Sequence, residues 1–141
     1  MQKVPYKIFE HTADIGITVE AADLNGIFTN AAAAMFDIMA ERNGARRRIC
    51  GKTLDISLAA SDQEELLVVW LNELLSLSAT KHLVFTEYRI NHIDGRSLKA
   101  SVTGESIKKF RINTEIKAAT YHEFFLERGP VFYSAKVIFD V

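Results

Sequence analysis

The chain has 141 residues, of which 48% are hydrophobic and 25% charged, and its formal net charge is -1. This composition excludes a disordered chain and is typical of a folded domain that buries a core without disulfides or a structural metal. The near balance of 17 basic and 18 acidic residues argues against a nucleic-acid clamp, because phosphate binding depends on many Lys and Arg contacts. We expect a single domain over residues 1–141.

Cysteine usage and hydropathy indicate the cellular compartment. The sequence contains one cysteine, Cys50, so no intrachain disulfide can form, and a lone thiol suits a reducing compartment. The first residues contain no apolar segment of the signal-peptide type, and the longest apolar stretches are too short to cross a bilayer. These features predict a cytoplasmic protein that does not associate with a membrane.

The first candidate for chemistry is the segment 11–14, which ends on Asp14. The carboxylate lies between two apolar runs, Tyr6–Phe9 and Ile15–Val19, where an unpaired charge is costly. One interpretation is a turn in which Asp14 and Thr12 bond local amides. The other is an anionic ligand group held at the end of a strand.

Two segments have the apolar period of an amphipathic helix. The first follows Asp23, whose carboxylate can accept hydrogen bonds from the unpaired amides of a first turn. The second begins with the capping-box spacing of Ser61 and Glu64. The residues that recur on one face are Leu24, Ile27, Phe28, Ala31, Met35, Ile38 and Met39 in the first segment, and Leu67, Trp70, Leu71, Leu74 and Leu75 in the second.

Most of the remaining chain alternates between apolar and polar residues, which predicts strands. Asp94-Gly95 is a strong hairpin signal, and Gly129-Pro130 separates the last run from the one before it. The runs span residues 53–58, 88–92, 98–102, 110–117 and 131–141. Because the two helices interrupt the strands instead of alternating with them, the pattern predicts an α+β fold, a mostly antiparallel sheet with two helices packed on one side.

The C-terminus is the second candidate for chemistry. An alternating run continues to the last residue, which places Asp140 next to the α-carboxylate of Val141. Adjacent carboxylates repel each other, and a bound hard cation such as Mg²⁺, Ca²⁺ or Mn²⁺ would relieve the repulsion. The alternative is the solvated end of an edge strand. A third candidate is the polar cluster in 116–123, which is either a polar sheet face or a functional surface.

Motifs of common active sites are missing from the sequence. It contains no Gly-rich phosphate loop, no paired cysteines or histidines with metal-ligand spacing, and no nucleophile elbow. Cys50 follows the basic run Arg46–Arg48 and is better explained as a small, half-buried residue than as a nucleophile. These observations predict a protein that is not itself an enzyme.

The candidate segments resemble the motifs of one family, the archeases. Residues 9–16 (FEHTADIG) are similar to the N-terminal motif of that family, and residues 70–75 (WLNELL) to its central helix. Residues 116–123 (IKAATYHE) resemble its late motif, and the chain closes on Asp140-Val141, an Asp followed by an aliphatic residue. The motifs occur in family order and span the chain.

Archeases activate the RtcB-type RNA ligase, which joins RNA ends in tRNA splicing and repair after attaching GMP from GTP to its own histidine. The resemblance implies that this protein promotes that guanylylation over multiple turnovers and meets RNA only through the ligase. It also implies that Asp14, Asp140 and the α-carboxylate of Val141 bind a divalent metal. The implied candidates for contact with the ligase are His11, Lys117, His122 and Glu123.

Three other functions stay open. An RNA-binding module would act through the basic runs Arg46–Arg48 and Lys108-Lys109. A metal-dependent hydrolase would use Asp14 and Asp140 without a partner, although the chain lacks a matching constellation of nucleophile and base. A chaperone for RNA-processing enzymes would stabilise its clients without a metal site.

Overall fold

The computed structural model of the protein describes residues 6–11 (the side chains of 9–11 excepted), 14–44 and 51–141. Its helices are α1 (Leu24–Met39) and α2 (Gln63–Lys81), and a short 3₁₀ turn spans Ile107–Lys109. Its strands are β1 (Tyr6–His11), β2 (Asp14–Ala21), β3 (Ala40–Arg42), β4 (Lys52–Ala59), β5 (Leu83–Ile93), β6 (Ser97–Ser106), β7 (Phe110–Ile112), β8 (Ala118–Arg128) and β9 (Tyr133–Asp140). None of the described helices is long and apolar enough to span a membrane.

The strands form three antiparallel sheets. The larger ones have the orders β1-β2-β9-β8 and β4-β6-β5, and β3 pairs with β7. Helix α1 packs against β2 and β5, and α2 packs against β8, β5 and β4, so both helices contact both larger sheets. The α+β prediction with two helices and antiparallel strands is confirmed. The division into three sheets depends on long-range pairing, which local alternation does not encode.

Helix α1 begins as the sequence predicts. The Asp23 carboxylate accepts a hydrogen bond from the amide of Gly26 at 2.8 Å, which caps the first turn. Gly26 also allows a close approach to β2, because a Cβ atom there would come within 2.7 Å of the Ala21 Cβ. The close approach of the α1 backbone to Ala21 explains why a glycine occupies this position, although glycine in a helix costs about 1 kcal/mol of stability relative to alanine.

The cap of helix α2 lies one residue later than the sequence spacing predicts. Asp62, not Ser61, is the N-cap, and its carboxylate accepts from the amide of Glu65. Glu65 reaches back to the amide and hydroxyl of Ser61 at 2.7 and 2.6 Å. The predicted partner Glu64 takes no part in this cap. Since Ser61-Asp62 and Glu64-Glu65 are adjacent pairs, two registers fit the same spacing, and the backbone decides between them.

Strand β5 is longer than its alternation predicts. Helix α2 ends at His82, which adopts a left-handed conformation with φ of 57°, and the strand begins at the next residue. Leu83, Val84 and Phe85 are all buried, so this part of the strand is a continuous apolar run. Such a run lacks the period of two that marks a half-exposed strand.

The predicted strand over residues 110–117 is mostly wrong. Only Phe110–Ile112 form β7, and residues 113–117 follow without regular structure. The amides of Asn113 and Thr114 both donate to the carbonyl of Met39, at 2.8 and 3.3 Å, which turns the chain away from β3. Ile116 is then buried against the core, so the alternation reflects one anchoring side chain and not a sheet face.

The last strand starts later than predicted, at Tyr133 instead of Val131. The amide of Gly129 donates to the carbonyl of Phe132, which closes a tight turn between β8 and β9, and Val131 is 81% exposed. From Tyr133 onward the predicted face is confirmed. Its core-facing residues Ala135, Val137 and Phe139 are buried.

One hydrophobic core joins the helices to both larger sheets. Trp70 of α2 is fully buried and donates its indole N–H to the carbonyl of Phe28 in α1 at 2.9 Å. Its neighbours Leu71 and Leu74 are also fully buried. A polar atom inside the core is thus hydrogen-bonded, and α2 is held rigidly against α1. The expectation of one domain over residues 1–141 stays a prediction.

Candidate functional site

The predicted carboxylates meet at one end of the four-stranded sheet. Asp14, the first residue of β2, lies directly opposite Asp140, the last residue of β9. Opposite residues of an antiparallel pair share one face, with Cβ atoms about 4.5–5.5 Å apart. His11 on β1 is in register with Asp14, and Ala118 on β8 is in register with Asp140. A single row across four strands therefore contains both carboxylates.

This row lies on the sheet face away from the core. Ile17 and Val19 are buried on the other face of β2, and Phe139 is buried next to the exposed Asp140. Within the described part of the chain, neither Asp14 nor Asp140 forms a side-chain ion pair or hydrogen bond. Like charges placed directly opposite each other are destabilising, so the row carries an electrostatic cost.

The end of the chain is anchored beside this row. The side chain of Val141 is half-buried and packs against the core, immediately after the fully buried Phe139. The carbonyl of Asp140 accepts a hydrogen bond from the amide of Lys117 at 2.8 Å. The last residues are thus ordered by packing on one side and by the segment before β8 on the other. We call Asp14, Asp140 and Val141 the acidic end.

Lys117 is placed at the acidic end by its backbone. Its backbone amide donates a hydrogen bond to the carbonyl of Asp140. Its side chain is exposed, and its ammonium forms no ion pair with a described side chain. The backbone bond brings an exposed lysine to the end of β9, where a positive charge would weaken the repulsion between the carboxylates. The ammonium also remains available to an anionic group of a partner.

His122 and Glu123 lie farther along β8, in a bulge. Thr120 pairs with Ile138 and Phe125 with Lys136, so residues 121–124 stand opposite a single residue of β9. Such a bulge redirects side chains away from the regular strand faces. It lies about 13 Å from the row, because Lys136, which contacts it, precedes Asp140 by four residues at about 3.3 Å each.

The bulge has its own ion pairs and an exposed ring. Glu123 has a φ of 50° and contacts both Lys136 at 2.9 Å and the His122 imidazole at 3.6 Å. Tyr121 is 56% exposed and stacks edge-on against Phe124 at a centroid distance of 5.9 Å. Desolvation raises the pKa of the Tyr121 phenol, and negative charges on α2 add to the rise. The two predicted contact residues therefore lie between two aromatic residues that contact each other, Tyr121 and Phe124.

Several sequence predictions fall on residues whose structure is not described. The side chain of His11, the basic run Arg46–Arg48 and Cys50 lie outside the described residues. The other basic pair, Lys108-Lys109, is exposed in the 3₁₀ turn before β7.

A cavity of about 660 Å³ lies elsewhere, between the end of α1 and strands β5 and β7. Its walls are aromatic, with Phe36, Phe85, Tyr88 and Phe110 among the lining residues. The charged lining residues are all paired within the protein. These pairs are Asp37 with Tyr6, Glu41 with Arg111, and Arg42 with Glu105. The charges of Asp37, Glu41 and Arg42 are therefore already paired within the protein and are not free to bind a ligand in the cavity.

The metal prediction rests on the acidic end. Across residues 6–11, 14–44 and 51–141, no group of three or more His, Cys, Asp and Glu side chains gathers in a way that could hold a metal ion. The two side-chain carboxylates of Asp14 and Asp140 are adjacent, and the third predicted ligand is a main-chain carboxylate. Such an all-oxygen donor set fits Mg²⁺, Ca²⁺ or Mn²⁺ and does not fit soft metals.

Comparison with known proteins identifies the family. Residues 6–141 match the archease protein family (MTH1598/TM1083). The chain belongs to the archease family. Its relatives include the archease of Methanosarcina acetivorans, 36% identical with 96% of this chain and 95% of that protein covered, and the archease of Sulfurisphaera tokodaii, 32% identical over the full length of both. The resemblance drawn from the sequence motifs is confirmed.

Solved structures of the family share the fold. Protein 1598 of Methanobacterium thermoautotrophicum, solved in solution, superposes with a TM-score of 0.75 at 29% identity, covering 99% of this chain and 100% of that one. An archease from Thermotoga maritima, described as a possible chaperone, superposes with a TM-score of 0.64 at 23% identity and 96% coverage of both chains. The second likeness shows the fold alone.

Two polar contacts in this fold have no counterpart among the predictions from the sequence. Asn72, in the middle of the WLNELL motif, bonds the backbone of β8, and Arg42 pairs with the buried Glu105. A polar residue between buried helix positions was a usable signal for Asn72. For Arg42 and Glu105, which lie 63 residues apart, the sequence offers none.

Proposed function

We propose that this protein activates an RNA ligase of the RtcB type, promoting GTP-dependent guanylylation of the ligase over repeated turnovers. The observation that carries the proposal is the direct pairing of Asp14 with Asp140, in a member of the archease family. Opposed carboxylates that have no ion-pair partner among the described side chains cost stability, which supports a use for them outside the fold. The proposed use is to present them to a partner.

A divalent cation is the proposed ligand of the acidic end. Asp14, Asp140 and the α-carboxylate of Val141 would hold Ca²⁺, Mg²⁺ or Mn²⁺, and the ion would offset negative charge on a triphosphate. The protein's own contribution is rigidity. Strands β2 and β9 are both central in the sheet, so hydrogen bonds on each side fix the two carboxylates before a partner arrives.

Lys117 and the bulge supply the proposed contacts with the ligase. Lys117 lies at the acidic end and would meet an anionic group of the ligase or of its nucleotide. His122 and Glu123, about 13 Å away, would meet a second part of the ligase surface around Tyr121. Aromatic side chains with a polar tip are frequent anchors of protein interfaces, which favours this placement. His11 remains a contact candidate by its register beside Asp14.

The decisive experiment measures incorporation of labelled GMP into a cognate RtcB-type ligase over several turnovers. The wild-type protein is expected to accelerate charging, and Asp14→Asn and Asp140→Asn variants are expected to lose at least about tenfold of that effect. Glu20→Gln is the matched control, since Glu20 is an exposed carboxylate on the same strand and face, about 20 Å from Asp14. Equal losses in all three variants would contradict a specific acidic end.

A second arm of the experiment addresses Val141. A C-terminal extension converts the α-carboxylate into an amide, whereas an N-terminal extension leaves it unchanged. We expect the C-terminally extended protein to lose activation and the N-terminally extended protein to keep it. Equal activity of the two extended proteins would remove Val141 from the proposed site.

Other outcomes would favour the alternative functions. Salt-dependent RNA binding by the isolated protein, reduced by Lys108→Ala and Lys109→Ala, would favour an RNA-binding module. Stimulation that survives both Asp14→Asn and Asp140→Asn would favour a chaperone for the ligase. Turnover without a ligase would favour a hydrolase.

A further inference from the structure

The start of β8 has neighbours on two sides. On one side it pairs with β9, where Ala118 lies opposite Asp140 and the amide of Lys117 bonds the Asp140 carbonyl. On the other side no strand of the described residues pairs with β8, which is the edge of its sheet. An edge strand leaves every second backbone amide and carbonyl without a strand partner.

Asn72 of helix α2 takes the place of that missing strand. Its side-chain amide donates to the carbonyl of Ala119 at 3.1 Å, and its side-chain oxygen accepts from the amide of Ala119 at 2.8 Å. The two bonds reproduce the pair of hydrogen bonds that a backbone residue of a neighbouring strand would make. Only a carboxamide combines one donor and one acceptor side by side in this way.

The helix that carries Asn72 is rigidly placed. Its neighbours Trp70, Leu71 and Leu74 are fully buried, and the Trp70 indole is bonded to α1. Ala119 is itself only 5% exposed, so its backbone groups would lack a partner if Asn72 were removed. The packing of α2 in the core therefore fixes the position of Ala119 through the side chain of Asn72.

We infer that Asn72 is a positioning residue for the acidic end, a role whose functional consequence rests on the proposed function above. The connection runs from the core through Asn72 to Ala119, and from there across two residues to the bond between Lys117 and Asp140. Asn72 touches neither carboxylate. It fixes the edge strand that places Lys117 beside Asp140 and holds the end of β9 in register.

The test compares Asn72→Ala with Ser78→Ala. Ser78 lies on the same helix, is buried, and also donates its side chain to a backbone carbonyl, that of Leu83. Leu83 begins β5, so Ser78→Ala controls for the general loss of one hydrogen bond from α2 to a strand other than β8. Asn72→Asp keeps an acceptor for the Ala119 amide and loses the donor, and it remains informative if the alanine variant fails to fold.

Two measurements are made on the full chain. Residue-resolved amide exchange should show the Lys117 and Ala119 amides exchanging about tenfold faster in Asn72→Ala, and no local change there in Ser78→Ala. GMP charging of the ligase, measured where every variant is folded, should fall several-fold for Asn72→Ala and stay unchanged for Ser78→Ala. Unchanged exchange at Lys117 in both Asn72 variants would overturn the inference, as would full activation by Asn72→Ala.

The outcomes separate this inference from the proposed function. If the wild-type protein does not accelerate charging, the proposed function fails, and amide exchange at Lys117 alone decides whether Asn72 positions the segment. If the wild type accelerates charging and Asn72→Ala does so equally, the proposed function stands and the positioning role is wrong.

Discussion

Carboxylates at the acidic end and at the contact between β3 and β6 differ in their exposure and in their pairing with positive charge. At the acidic end, Asp14 and Asp140 face each other on the sheet surface without a described ion-pair partner. At the second contact, Glu105 is only 4% exposed and receives two hydrogen bonds from the Arg42 guanidinium, at 2.6 and 2.7 Å. That guanidinium also lies over the ring of Phe110, 5.0 Å from its centroid.

The difference shows where charge serves the fold and where it does not. The buried carboxylate is matched by a two-pronged partner, because an unpaired buried charge is expensive. The exposed carboxylates repel each other at a smaller cost, since water screens them. A charge that the fold leaves unmatched is available to a ligand, whereas the charge of Glu105 is already committed to the structure.

Breaking the buried pair should have the largest effect. We expect Arg42→Ala to lower the free energy of unfolding by about 3 kcal/mol, because it removes both guanidinium hydrogen bonds from the buried Glu105 carboxylate. The measurement is denaturant unfolding near neutral pH. The double variant Arg42→Met with Glu105→Met should recover most of the loss, since the buried carboxylate is removed together with its guanidinium partner. If the free energy of unfolding fell by less than about 0.5 kcal/mol in the single variant, the pair would contribute no more than an ordinary surface ion pair.

The hydrogen bond between the neutral Tyr6 hydroxyl and the Asp37 carboxylate should have an intermediate effect on stability. The Tyr6 hydroxyl donates to Asp37, and burial together with that bond and the Asp37 charge raises the pKa of Tyr6 from 10.0 to about 12. The folded state favours the neutral phenol, so its contribution is fully present below pH 10 and is lost as the pH rises through about 12.

We therefore expect the stability difference between wild type and Tyr6→Phe to shrink between pH 10 and pH 12. The change should be no more than about 1 kcal/mol, because the phenol is partly exposed and solvent screens the Asp37 charge. Unfolding measured across this pH range in both proteins provides the test. A difference that stays constant with pH would mean that Asp37 does not hold the phenol neutral.

The smallest expected effect concerns the acidic end and has the opposite sign. Asp14→Asn and Asp140→Asn should each raise the free energy of unfolding by about 0.5 kcal/mol, because each removes one of two directly opposed charges. The double variant should gain little beyond either single one, since the repulsion is already gone. Metal-free thermal unfolding measures this. Additive gains in the double variant would show that the two carboxylates do not interact.

Added Mn²⁺ sharpens the same comparison. If the proposed site binds the ion, wild type should gain thermal stability with increasing Mn²⁺, and the Asp14→Asn variant should gain less. Arg42→Ala serves as the control, because its lost pair lies outside the acidic end. If Mn²⁺ stabilised wild type and Asp14→Asn equally, the acidic end would not be the binding site of the ion.

Local sequence patterns predict both helices and the strands β4, β5, β6 and β9. Helix faces follow from apolar residues at three- and four-residue steps, and Asp23 marks the start of α1 in both the pattern and the structure. The Asp94-Gly95 hairpin likewise joins β5 to β6 as predicted, with the Asp94 carboxylate bonded to the amides of Arg96 and Ser97. These features depend on neighbours within a few residues, so the local sequence contains the information.

The pairing of the strands and their register depend on tertiary packing. Asp14 and Asp140 are 126 positions apart (140 − 14), and their pairing depends on β9 lying between β2 and β8. The Met39 carbonyl ended β7, the bulge redirected His122 and Glu123, and Asn72 reached β8 from a helix. Each of these contacts joins distant segments that come together only when the core packs. The motifs therefore named the residues of the candidate site, and long-range packing placed them.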